Sequence, residues 1–316
     1  MLQNNVDMEL KSFKRTERLM GNAFEITVVA DDATWATCKL DLAVEEIKRI
    51  ERLLTTFDED SQTNQINQQA GIAEVEVDKE VFDLIERSIR ISKVTDGAFD
   101  ITYGSIDKKL WNFDQSMTSL PSKEVAQSMV SLINYNNIIL DRANSTVMLK
   151  EKGMRLGFGG IGKGYAAEMA KALLKKEGVQ NGIVNASGDL STWGYQPNGQ
   201  PWTIGIVNPD QKNLPFSYLD VTDMAVATSG NYEKYIKING VKYSHTINPK
   251  TGLPVTGIKS VTIISPNAEI ADAMATPVTI MGINAGLNMI NQINYLACII
   301  IDDNNKIYTS NNINIK

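Results

Sequence analysis

Histidine, cysteine and clustered basic charge are what this chain of 316 residues has least of, and each shortage closes off a class of function. There is one histidine, His245, and there are two cysteines, Cys38 and Cys298, distant from each other and in no Cys-x-x-Cys pair. A cysteine-histidine zinc site and a dithiol redox motif are therefore excluded, and the cysteines read as two separately buried thiols. Lysine and arginine total 31 against 37 acidic residues, a formal net charge of -6 with no basic run. Phosphate-backbone and anionic-membrane binding need clustered positive charge, so no nucleic acid is expected as a partner. No window of about 18 apolar residues exists to span a bilayer, and no basic segment followed by an apolar stretch opens the chain as a signal peptide would. No linker rich in proline, glycine or serine divides it. One integrated unit over residues 1–316 is expected, with two similar sheet-plus-helix halves meeting near residue 155 as the finer expectation.

What is present is enough apolar residue, 43% against 22% charged, to bury a core. Alternation predicts a strand over 23–30. Trp35, Leu40, Ala43, Val44, Ile47, Ile50 and Leu54 then recur at helical spacing. Further helices are predicted over 80–94, over 163–176, from Ala268 and near Ala285. Paired strands are predicted at 138–140 with 147–149, at 234–238 with 241–244 about an Asn239-Gly240 turn, and in a closing hairpin at 295–301 and 307–309. Single strands are predicted at 182–185, 202–207, 216–221 and 260–264. Helices mixed irregularly with hairpins indicate an α+β architecture of antiparallel sheets with helices packed on them.

Polar and glycine-rich clusters carry the chemistry. From Gly157 to Gly164 there are five glycines in eight positions, just before a helix with Lys163 in its first turn. Glycine lets backbone approach a ligand closely, and the free amides of a helix start beside an ammonium suit a pyrophosphate. The loop lacks the ending of a Walker A motif and the spacing of a dinucleotide fingerprint. Asp272 and Thr276 lie four residues apart on one helical face among small residues. Two such oxygens suit magnesium, which keeps waters and takes substrate phosphates; the competing reading is a carboxylate complementing the start of its own helix and a hydroxyl bonded back to its own turn. Segments 95–102, 185–189 and 227–232 read as turns that could also orient ligands. His245 is the obvious proton-transfer group, weighed against a hydrogen-bonded structural histidine.

Taken in order, Met20-Gly21, Thr56-Phe57-Asp58 with Asn67, Gly97-Ala98-Phe99-Asp100, the loop from Gly159 to Tyr165, Gly188-Asp189, Thr228-Ser229-Gly230, Ser244-His245 with Pro249 and Gly252, and Ala271-Asp272 with Thr276 resemble the ApbE family of FAD:protein FMN transferases. The resemblance implies a T-fold-like α+β unit that binds FAD with magnesium. It implies transfer of FMN to a threonine of a partner protein, a membrane redox subunit, with release of AMP. Asp272 and Thr276 match the metal ligands, with the backbone carbonyl of Gly160 as a third. Met20, Phe57, Ala98, Phe99, Asp100, Lys163 and Ile247 match flavin or adenine-nucleotide contacts, and His245 matches the base for the attacking hydroxyl. A periplasmic or membrane-anchored location is implied too. The chain departs from the pattern at Gly157, where many members carry an acidic residue, and at Phe57, where a tyrosine often sits. Two alternatives stay open: an FAD pyrophosphatase that uses water as acceptor, and a flavin-binding protein without turnover.

Overall fold

In the computed structural model, residues 9–107, 109, 119–208, 211–230 and 235–313 are described. The first hairpin pairs β1 (Lys11–Leu19) with β2 (Asn22–Ala30) through Met20 and Gly21, both at positive φ, 50° and 74°. A two-residue turn with both centres left-handed matches the twist of the strands it joins. Helix α1 (Ala33–Leu54) follows, with the Asp32 side chain accepting from the Trp35 amide at its start and Leu40, Val44, Ile47 and Ile50 buried at helical period. Next come α2 (Gln62–Gln68), β3 (Val75–Glu76), α3 (Lys79–Val94), a 3-10 turn at Ile101–Ser105, α4 (Lys123–Met129) and a second 3-10 turn at Tyr135–Asn137. Strands β4 (Ile138–Asp141) and β5 (Thr146–Leu149) join β3 in a small antiparallel sheet.

Helix α5 (Gly162–Lys176) then leads into β6 (Gly182–Ala186), β7 (Asp189–Trp193), β8 (Trp202–Asn208), β9 (Gln211–Val221) and β10 (Ala225–Gly230). A hairpin of β11 (Tyr235–Ile238) and β12 (Val241–Ser244) turns at Asn239-Gly240, as the sequence predicts. Strand β13 (Ile258–Ser265), α6 (Ala268–Met281), α7 (Ile283–Ile290), β14 (Ala297–Asp302) and β15 (Ile307–Thr309) complete the described chain.

Eight strands form one antiparallel sheet in the order β1-β2-β6-β7-β10-β13-β14-β15, drawing from both sides of residue 155. Helices α1, α5 and α6 pack on one face. The ribbon β8-β9 lies against the other, where Trp202 and Val221 meet Val29. This is the mixed helix and antiparallel-sheet class expected. The hydropathy pattern does not yield β1, β7 or β10. Strand β1 is an edge strand, mostly charged and exposed, as edges that avoid pairing with other chains usually are. Strands β7 and β10 are central and short, and their small or polar residues read as turns. One expectation is corrected: Cys298 is buried but Cys38 is exposed on the solvent side of α1, because the apolar stripe of that helix runs through Ala36 and Leu40 instead.

Helices α5 and α6 cap each other. Glu168 of α5 accepts from the Ala268 amide at the start of α6 (2.9 Å), and Asp272 of α6 accepts from the Gly164 amide in the first turn of α5 (2.9 Å). Each carboxylate thus satisfies an amide that has no partner within its own helix and sits at the positive end of the other helix's dipole. The approach is close enough that a Cβ on Gly164 would lie 2.2 Å from the Ala268 carbonyl oxygen and 2.6 Å from the Asp272 Cβ. Gly164→Ala is therefore expected to force the helices apart and cost about 1–3 kcal/mol. Urea denaturation checks it; an unchanged midpoint would show that the crossing is not tight.

Candidate active site

Three charged side chains meet where α5 begins. The Lys163 ammonium, one residue into the helix, is paired with Asp189 Oδ2 at the start of β7. Asp189 Oδ1 accepts from the Thr228 amide of β10 at 3.3 Å. Asp272 reaches in from α6 and bonds backbone amides of α5, so it complements a neighbouring helix and not the start of its own, which Asn267 caps by accepting from Ile270. Both carboxylates are buried. Burial first, then the charge of Asp189, push the Asp272 carboxyl well above the usual carboxylate range, while Lys163 pulls the other way. Burial works against the Lys163 ammonium, but Asp272 and Asp189 outweigh it and hold its pKa above the ordinary value. With both carboxylates ionised the cluster carries an excess of one negative charge, which a cation would offset and so favour.

Thr276 lies one turn after Asp272, half-buried, whereas the back-bond to the helix is made by Thr279, whose hydroxyl donates to the Ala275 carbonyl at 3.1 Å. The Gly160 carbonyl precedes α5, and the amide four residues on, Gly164, is directed to Asp272.

The loop before α5 is clamped from two sides. Asn67 accepts from the Leu156 amide at 2.6 Å and donates to its carbonyl at 3.1 Å, a reciprocal amide pair across 89 positions. Gly157 donates to the Ile101 carbonyl at 2.9 Å. Asn67→Ala removes the first clamp and is expected to weaken binding of FAD, the ligand that the resemblance implies, by roughly tenfold, the equivalent of one or two net hydrogen bonds. Calorimetric titration with FAD checks it, and an unchanged affinity would mean that the 3-10 turn alone holds the loop.

The predicted contact residues fall into three sets. Met20 and Phe99 stand beside the loop: a Cβ on Gly162 would lie 3.5 Å from the Met20 methyl, and one on Gly160 3.6 Å from the Phe99 ring. Ala98 is buried next to Phe99. Asp100 and Ile247 are committed to the protein. Asp100 accepts from the Thr102 amide and hydroxyl (2.8 and 2.7 Å) and from the Tyr135 amide (2.9 Å), and burial still holds its carboxyl above the usual range. The Ile247 side chain is buried with Ile106, Met129 and Val130, and its backbone bonds the Tyr103 hydroxyl, which burial pushes up to about 12. Phe57 and His245 are exposed. The Phe57 ring is 99% exposed, which leaves its whole face open to stacking. His245 follows β12 on a loop held to the body by a Lys250–Asp96 ion pair at 2.5 Å. Of the turn at 227–232, Asn231 and Tyr232 fall outside the described residues.

Asp189 is the residue that sequence reasoning passed over as part of a turn. The signal available was an acid directly after Ser187-Gly188, a pair suited to a tight turn, with no charged residue in the stretch that follows.

A family model described as the ApbE family matches residues 20–300. The FAD:protein FMN transferase of Klebsiella pneumoniae is 31% identical over 295 residues, 92% of this chain and 90% of that protein. That of Salmonella typhimurium is 30% identical over 271 residues, 84% of this chain and 77% of that protein. Among solved structures, the ApbE protein of Thermotoga maritima is similar with a TM-score of 0.84 at 30% identity, covering 95% of this chain and 97% of that one. The apo form of the Pseudomonas stutzeri flavinyl transferase ApbE gives 0.83 at 25% identity, covering 96% and 95%.

Proposed function

This chain belongs to the ApbE family, and we propose that it transfers FMN from FAD to a threonine hydroxyl of a partner protein, with magnesium required and AMP released. The observation that carries this reading is the half-buried Lys163 with the buried Asp189 and Asp272 at a helix start, behind a loop open enough in side chains to admit a pyrophosphate. Asp272, Thr276 and the Gly160 carbonyl are all hard oxygens. Among the described residues no three His, Cys, Asp or Glu side chains are grouped to hold an ion alone. Such a partial set suits magnesium, whose shell waters and substrate phosphates complete. When bound there, the ion supplies charge neutralisation on the pyrophosphate.

The chain's own groups then divide the work. Lys163, in the first turn of α5, faces the phosphate charge, while the amides of that turn are already bonded to Phe158, Ile161 and Asp272. Met20, Phe99 and the exposed Phe57 ring offer apolar and aromatic surface to flavin or adenine. His245 takes the proton from the attacking threonine oxygen as that oxygen bonds the phosphorus of the FMN half, and the bond from that phosphorus to the AMP oxygen breaks with its electron pair leaving on AMP. An exposed base is accessible to a hydroxyl on another macromolecule, which favours a protein acceptor over water. As part of the same proposal the acceptor is a membrane redox subunit and the enzyme works in the periplasm or on the membrane, which cell fractionation checks. Among the described residues no helix is long and apolar enough to cross a membrane.

The test is incubation with FAD, magnesium and a candidate acceptor, followed by intact mass of the acceptor and assay of AMP. Covalent flavin and AMP in equal amounts are expected. AMP with free FMN only would make the protein a pyrophosphatase, and FAD binding without AMP would make it a carrier.

A further inference from the structure

Two buried carboxylates share one ammonium at the start of α5, and they are not equivalent. Asp189 holds the Lys163 Nζ directly and is itself fixed by the Thr228 amide, whose side chain is tied to Thr262 Oγ1 on the next strand at 2.9 Å. Asp272 instead receives backbone amides from the turn that carries Lys163, and its charge, like that of Asp189, favours the ammonium. A lysine is a compact charge on a flexible four-carbon stem, so it moves to whichever carboxylate is left. An ammonium on Asp272 would occupy the oxygens that a divalent cation needs.

We propose that Asp189 is a positioning residue that holds the Lys163 ammonium away from Asp272, keeping the Asp272 carboxylate open to a divalent cation while leaving the ammonium poised for the pyrophosphate. The inference rests on Asp272 being a metal ligand and adds a residue outside the ligand set. A merely supportive acid would raise cation affinity by its negative charge alone, whatever Lys163 does. A holding partner matters only while the lysine is there. The two roles separate in a double-mutant cycle.

The probe is Mn2+, titrated into the protein–FAD complex without acceptor, with free Mn2+ read by electron paramagnetic resonance and folding checked by thermal melting. Asp189→Asn is expected to weaken Mn2+ binding by about tenfold or more, the effect of one opposite charge moving to within contact of the ligand. Asp189→Glu, which keeps a carboxylate for the lysine, is expected to retain most of the affinity. In the Lys163→Met background, adding Asp189→Asn is expected to change Mn2+ affinity little, and because this pair removes both charges at once it does not leave the Asp189 carboxylate buried without its ammonium. The proposal is overturned if Asp189→Asn binds Mn2+ as wild type does, or if it weakens binding equally with and without Lys163. If Asp272→Ala binds Mn2+ as tightly as wild type, the metal reading itself fails and this inference goes with it, a result distinct from either of the others.

Discussion

Replacement of Asp272 by asparagine is expected to lower FMN transfer by roughly a thousandfold, since a carboxylate holding a hard cation contributes several kcal/mol to stabilising charge in transfer of a phosphoryl group. Asparagine keeps an oxygen that can accept from the Gly164 amide, so the cap on α5 survives while the charge is lost. Asp272→Ala loses both. It should be equally inactive, and less stable by about 1 kcal/mol, the ordinary cost of removing a helix cap. Measuring AMP release at limiting magnesium beside the thermal midpoint separates the two contributions. An Asp272→Asn protein with wild-type turnover would leave Asp272 with the structural role alone, as a cap for the neighbouring helix.

His245→Ala is expected to slow transfer by about 10² to 10⁴ with FAD affinity unchanged, because the phosphate and metal contacts proposed above come from α5, α6 and the loop between Gly157 and Ile161. No second histidine exists to substitute. His245→Gln should be as slow, because an amide forms hydrogen bonds but does not take up a proton at neutral pH. His245 is exposed and lies just beyond β12, so its replacement removes no core packing. Transfer rate, FAD affinity and melting temperature from the same preparations decide the matter. Lower stability with full activity per folded molecule would identify a structural histidine and remove it from the mechanism, even with the transferase reading intact.

Much of the fold is legible locally. Helices α1, α3 and α5 carry apolar residues at regular helical spacing, and the Asn239-Gly240 hairpin carries a dipeptide suited to two left-handed residues in succession. Strands β1, β7 and β10 are not legible. The charge on β1 reflects an edge, and the small residues of β7 and β10 reflect a crowded sheet centre, neither of which leaves an alternating pattern. In the site, Asp272 and Thr276 can be paired from their spacing on one face, because helix geometry alone brings i and i+4 together. That Asp272 caps another helix cannot be, since Gly164 lies 108 positions earlier.

By itself the sequence determined the class of fold, the absence of a cysteine-histidine metal site, the placing of His245 as the single imidazole, and the residue types that line the glycine loop. These follow from composition and from contacts within a few positions of one another, where spacing is geometry. Only the tertiary structure decided that Lys163 is held by Asp189, that α5 and α6 exchange carboxylates at their starts, and that Asp100 and Ile247 are committed to internal bonds and packing while Phe57 and His245 stand exposed. The reason is that a charge has no preferred partner along the chain: which carboxylate an ammonium meets, and whether water reaches either, depends on how the sheet and helices close around them.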